Sequence, residues 1–290
     1  MTHPSRHVWV ETKDNVRLSV REWGRADGPA ILFVHGWSHC QLAFLRQYQS
    51  ALADEFRLVS YDLRGHGESD HPDSLDAYDR GAIWADDLHA VIEGLGLERA
   101  VLVGWSFGGR IIAQYVHQFG IERVGGLNFV AVAAFADPDR PVRGPDACAD
   151  RMLTPNLEDN IAATEHFVRK CVARPLGEAD FTWMLAVAAG TSMKARLGSL
   201  QWQGDYLDTF RNIRIPSLAI HGRKDGMTLP HAAEAIAAKV AGTRILWFDE
   251  SGHMPFWEEP ERFNAELRNF ALACHDRQVT FETAQSSIGE

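Results

Sequence analysis

Short β-branched and apolar runs alternate along this chain with longer stretches of helical period, and that alternation sets the class of fold before any single residue is considered. The runs are Ile31–Val34, Leu58–Tyr61, Val101–Val103, Val124–Val130, Ser217–Ile220 and Arg244–Phe248, and the helical stretches include Ile83–Leu95, Ile111–Phe119, Ala232–Val240 and Arg262–Ala273. Strands joined through helices run parallel by right-handed crossovers, and helices on both faces bury them, so such runs are apolar throughout. The expectation is an α/β fold, a mostly parallel sheet covered by helices on both faces. Ahead of it, two alternating segments, Val8–Glu11 and Val16–Glu22, flank Lys13-Asp14-Asn15 and predict an antiparallel hairpin.

Between about Asp137 and Arg211 the alternation stops. The pattern there is helical, punctuated by Pro138, Pro141, Pro145, Pro155 and Pro175, with no clear strand. A helical cap inserted after the sixth strand accounts for it. The expected organisation is a first part of the core over residues 1–136, a cap over 137–211, a second part over 212–276 and a polar C-terminal tail over 277–290, frayed from Gln278. At 290 residues with 46% hydrophobic content, a single large core carrying one subordinate insertion is within reach.

A formal charge of −10 repels phosphate backbones and acidic headgroups, so neither nucleic acid nor a membrane is expected as a partner. Cys40, Cys148, Cys171 and Cys274 show no paired spacing, and neither a metal nor a cofactor is expected. Free thiols, an N-terminal Met1–Val10 without an apolar run, and no stretch long enough to span a bilayer predict a cytoplasmic protein, monomer or homodimer, acting on a small molecule.

The chemistry concentrates in Gly104-Trp105-Ser106-Phe107-Gly108-Gly109, which follows the apolar run ending at Val103 and opens a helical stretch. A nucleophile on a strand-to-helix turn needs small neighbours, because the turn strains the backbone and brings flanking residues close. It also puts Ser106 at a helix N-terminus, where free N–H groups favour the negative charge of acyl transfer. A serine hydroxyl needs a base, and the base an orienting acid. Of thirteen histidines, His253 in Glu250-Ser251-Gly252-His253-Met254-Pro255 lies just beyond the last run, at the sheet edge from which a loop can reach the nucleophile. Asp225 in His221-Gly222-Arg223-Lys224-Asp225-Gly226 follows Ser217–Ile220 in the same way. Asp249 is the rival acid, but so close to His253 in sequence it would more readily cap its own loop. The backbone N–H groups of Trp37, in His35-Gly36-Trp37, and of Phe107 are the expected oxyanion hole. His35 is read as bracing its loop by hydrogen bonds, and Asp62-Leu63-Arg64-Gly65-His66-Gly67-Glu68-Ser69 as a Gly-rich loop held by its own polar side chains.

These segments, taken in order from about Val8 to His275, resemble the α/β-hydrolase family. The resemblance implies a serine esterase that cleaves an ester or lactone, or a related acyl or carbon–carbon bond, of a small apolar substrate through an acyl-enzyme, with Ser106, Asp225 and His253 as the triad. The elbow around Ser106 is also similar to that of cofactor-free haloperoxidases, esterases able to use peroxide in place of water, although those commonly carry Pro where this chain has Ser38. Gly36-Trp37-Ser38-His39 resembles the corresponding loop of cofactor-independent quinolone dioxygenases, which place their acid after the sixth strand, where this chain offers Asn128 and later Asp137. Hydrolase-fold ligand receptors retain a triad as well and form a third possibility. For the pocket, His39, Trp105, Trp183, Met254 and Trp257 are the expected lining, and the cap further offers Met184, Met193 and Trp202.

Overall fold

The computed structural model describes residues 5–134, 141–145, 149–202, 204, 209–210 and 213–286. The chain opens with the hairpin β1 (Ser5–Glu11) and β2 (Arg17–Gly24), whose turn places Asn15 at φ 62°, a conformation Asn tolerates better than most residues. There follow β3 (Ala30–Val34), the short helices α1 (Leu45–Tyr48) and α2 (Leu52–Glu55), β4 (Arg57–Tyr61), α3 (Gly81–Gly94), β5 (Ala100–Trp105), α4 (Phe107–Phe119) and β6 (Val124–Val130). Next come α5 (Leu157–Lys170), α6 (Glu178–Ala189) and α7 (Met193–Gln201). The core then resumes with β7 (Ser217–Gly222), α8 (His231–Lys239), β8 (Arg244–Phe248), α9 (Pro255–Glu258) and α10 (Pro260–Ser286).

The eight strands form one sheet in the order β1-β2-β4-β3-β5-β6-β7-β8. The β1/β2 and β2/β4 pairs are antiparallel and every other pair is parallel. β5 and β6 are buried along their whole length, as strands covered on both faces must be. One apolar layer, including Leu88, Ile92, Ile111 and Ile112 of α3 and α4, packs one face. The other, with Phe44, Phe56, Phe256, Phe263 and Leu267, packs the opposite face.

The α/β expectation is met, with a helical segment between β6 and β7 and no named strand in it among the described residues. Isolated bridges join Thr191 to His66 and Arg143 to Thr228. The cap limits expected at Asp137 and Arg211 lie outside the described residues, as does Cys148. α10 runs to Ser286, past Gln278. Nothing between Pro260 and Gly289 breaks a helix, and Ala, Glu and Gln are adequate formers, so polarity alone does not end it. Among the described residues no helix is long and apolar enough to cross a membrane.

Candidate active site

β5 delivers Ser106 at φ 51° and ψ −114°, the strained geometry of a sharp strand-to-helix turn. The turn is held by Ser106 N–H donating to Val130 O at 2.9 Å and Gly109 N–H donating to Ser106 O at 3.0 Å. Its glycines are there for space: a Cβ on Gly108 would stand 2.1 Å from Val34 O, and one on Gly104 would stand 2.6 Å from Gly109 Cα. Phe107 begins α4, so its N–H has no acceptor within the helix and faces the end where negative charge is favoured.

Across the cleft, the carboxyl ends of β7 and β8 supply the other two groups. His253 Nδ1 lies 2.8 Å from Asp225 Oδ2, which puts the ring proton on Nδ1 and leaves Nε2 as the free face. Asp225 Oδ1 accepts the N–H groups of Met227 at 2.8 Å and Thr228 at 2.9 Å. Burial alone would raise the pKa of this carboxyl, but the His253 and His221 imidazoles outweigh it and hold the group far below the usual carboxylate range. Asp249, the rival acid, is exposed and takes Arg223 Nε at 3.3 Å instead.

The loop bearing His253 is fixed on several sides. Its N–H donates to Cys171 O at 3.0 Å, and its own carbonyl accepts Trp105 Nε1 at 2.9 Å. Glu258 receives Gly252 N–H at 2.7 Å and Ala173 N–H at 2.7 Å. On the far side His35 donates from Nδ1 to Gly36 O at 2.9 Å and accepts Leu63 N–H on Nε2 at 3.0 Å, the bracing role expected of it. Asp62 accepts the N–H groups of Gln41 and Glu68, so its loop is indeed held by its own polar side chains.

Ser106 and His253 open into one cavity of about 470 Å³. Trp37, Trp105, Phe107, Phe167, Leu200, Trp202 and Met227 give it an apolar wall, with Arg110, Arg143 and Thr228 as its polar points. Of the five expected lining residues Trp105 is in that wall, together with Trp202, which the cap also offered, and both expected oxyanion donors, Trp37 and Phe107. The other four lie elsewhere. His39 is buried behind Trp105, ring centroids 4.6 Å apart, and donates from Nδ1 to Trp37 O. Met254 is wholly in the core, Trp257 packs beneath the Arg46 guanidinium, and Trp183 donates from Nε1 to Leu42 O at 3.3 Å.

Arg110 was missed, although its spacing was a signal: four residues after Ser106 on α4, it lies one turn on along the same face. It donates to Trp202 O at 2.7 Å and stacks over that indole at 4.6 Å. Phe167, Leu200, Met227 and Thr228 carried no sequence signal, because only tertiary packing brings them to the cavity. Among the described residues no group of three or more His, Cys, Asp or Glu is arranged to hold a metal ion.

Comparison with known proteins agrees with this fold. The model of the Alpha/beta hydrolase family matches residues 31–266. The chain is 30% identical over 275 residues to the AB hydrolase superfamily protein YisY of Bacillus subtilis (strain 168), covering 91% of this chain and 98% of that protein. It is 29% identical to a bifunctional esterase/perhydrolase of Acinetobacter calcoaceticus, over 90% of this chain and 98% of that one. Among solved structures, an esterase from Rhodococcus sp. ECU1013 superposes with a TM-score of 0.86 at 26% identity, covering 94% of this chain and 100% of the other.

Proposed function

We propose, given that the chain belongs to the alpha/beta hydrolase family, that it is a serine hydrolase cleaving a carboxylic ester or lactone of a small apolar substrate through an acyl-enzyme. The observation that carries this is the 2.8 Å bond from His253 Nδ1 to Asp225 Oδ2, with Ser106 on its strained turn in the wall of the same cavity. A hydroxyl, an imidazole with its Nε2 free and a buried carboxylate are the three groups that acyl transfer to serine requires.

Ser106 Oγ attacks the substrate carbonyl carbon as His253 Nε2 takes the hydroxyl proton. The oxyanion is held by the backbone N–H groups of Trp37 and Phe107, each such donor contributing about 3 kcal/mol of transition-state stabilisation. His253 returns the proton to the leaving alcohol, and water then deacylates Ser106 by the same route. Asp225 keeps the ring in the tautomer with Nδ1–H and stabilises its positive form. The apolar wall of Trp37, Phe167, Leu200 and Trp202 suits an acyl, aryl or alicyclic group.

Similarity to an esterase/perhydrolase makes peroxide the second candidate for deacylation. Ser38 favours water: it sits at φ 57°, a value closed to the proline commonly found there in perhydrolysing relatives. The dioxygenase reading is weakened by the acid standing after β7, bonded to His253, while Asn128 lies inside β6. The test is hydrolysis of p-nitrophenyl acetate and butyrate, with fluorophosphonate labelling and peptide mapping. Ser106→Ala is expected to lose turnover by a factor of at least about 10³ and to lose the label. Turnover equal to the parent protein would remove Ser106 from the mechanism.

A further inference from the structure

Asp225 receives more donors than support of one imidazole requires. Beside His253 Nδ1, and 3.2 Å from the same Oδ2, stands Nε2 of His221. This residue is the fifth of β7 and 1% exposed. The same Nε2 lies 2.9 Å from Thr228 O. A carboxylate oxygen and a carbonyl oxygen are both acceptors, so the ring hydrogen between them must be on Nε2 whatever the charge of the ring. Thr228 in turn donates its N–H to Asp225 Oδ1 and lines the cavity. His221, the acid and the cavity wall thus close a small hydrogen-bonded ring.

We propose that His221 is a positioning residue for Asp225: it shares Oδ2 with His253, ties the carboxylate to Thr228, and draws off charge that would otherwise act wholly on the His253 imidazole. This rests on the serine-hydrolase reading above. Without the His221 donor, Oδ2 becomes a stronger acceptor toward His253. The imidazolium is then favoured up to higher pH, and the neutral base that must take the Ser106 proton becomes scarcer.

The other charged or titratable groups near this pair among the described residues are the same in every variant: Arg110 and Arg143 stand on the cavity wall, Arg110 donating to Trp202 O and Arg143 bridged to Thr228. His39, on the loop after β3, stays neutral because burial lowers its pKa to about 4, and Arg196 of α7 acts on it in the same direction. Glu258 of α9 is occupied by Gly252 and Ala173 N–H groups. Asp249 and Glu250 are exposed and paired with Arg223, Lys224 and Arg174.

The experiment measures kcat and KM for p-nitrophenyl butyrate against pH on His221→Phe, His221→Asn and His221→Gln, with thermal melts and with Ser106→Ala alongside. The Gln amide nitrogen reaches the place of Nε2, whereas that of Asn stands near Nδ1, too short to meet Oδ2. In the Phe and Asn variants the acid limb of kcat/KM moves to higher pH and kcat at neutral pH falls about tenfold, the effect of losing one hydrogen bond to a charged group. KM stays within about twofold, since the change is not to uniform substrate binding. Gln holds the limb at its original position and keeps most of kcat. Limbs that coincide in the parent protein and all three His221 variants, or a Gln variant that falls with Asn in step with Tm, would overturn the proposal. If His221→Phe does not fold, the Asn and Gln pair decides alone. A fully active Ser106→Ala would sink the serine reading, whereas an inactive Ser106→Ala with unmoved limbs sinks only the role of His221.

Discussion

Ser106 keeps φ 51° because its surroundings permit nothing else. The first helical turn after it lies against β3, with Gly108 so close to Val34 O that a methyl group has no room. Gly108→Ala is therefore expected to destabilise the fold by about 2 kcal/mol or more and to lose activity beyond its loss of folded protein, as read by chemical denaturation and specific activity. Asp225→Asn should keep the bonds from Met227 and Thr228 but present the wrong tautomer to Ser106, lowering kcat for p-nitrophenyl butyrate by about 10³- to 10⁴-fold. Ser106, Asp225 and His253 were legible because each follows an apolar strand in a glycine-bearing turn. His221 was not: sitting before Gly222 at the end of an apolar run, it reads as one more strand residue, and only the fold turns its ring onto Asp225. His39 misled for the opposite reason. The resemblance of its loop to that of the dioxygenases implies a cleft residue, but Trp105 stands in front of it.

At the scale of elements, strand and helix order was legible because parallel strands declare themselves as unbroken apolar runs. Helix ends were less so: α4 begins at Phe107, four residues before the periodic stretch at Ile111, because the turn residues Gly108 and Gly109 hide the first turn. The cavity wall from the segment between β6 and β7 was only partly readable. Trp202, just beyond α7, is buried against Phe107, ring centroids 5.6 Å apart, and beneath Arg110. Trp202→Ala is expected to deepen the cavity and shift preference toward longer acyl chains, raising the ratio of kcat/KM for octanoate over butyrate esters by about tenfold. An unchanged chain-length profile would show that Trp202 does not bound the acyl site. The same segment reaches the loop after β3, where Trp37 Nε1 donates to Ser199 Oγ at 3.0 Å and to Arg196 O at 3.3 Å.

For the whole molecule, acid sensitivity follows from histidines buried away from the cavity. Burial lowers the pKa of His39 to about 4 and of His66 to about 3, and pushes His35 well below its usual 6.5. Their folded pKa values lie below the unfolded one, so the unfolded chain binds more protons on acidification. Stability is complete above pH 6.5 and is lost as pH falls toward the folded values. Each ring contributes up to about 1.4 kcal/mol per pH unit in that window. Thermal melts should show Tm falling steadily below pH 6.5, and His66→Gln should flatten the slope. A Tm constant from neutrality to about pH 4.5 would contradict this.

Both backbone groups of His253 are engaged, the N–H by the Cys171 carbonyl at the end of α5 and the carbonyl by the Trp105 indole at the end of β5. Two residues 148 positions apart are thereby riveted together, and the end of α5 is bolted to the same spot. A shift at the end of α5 is therefore carried to the backbone beneath the imidazole through a single bond.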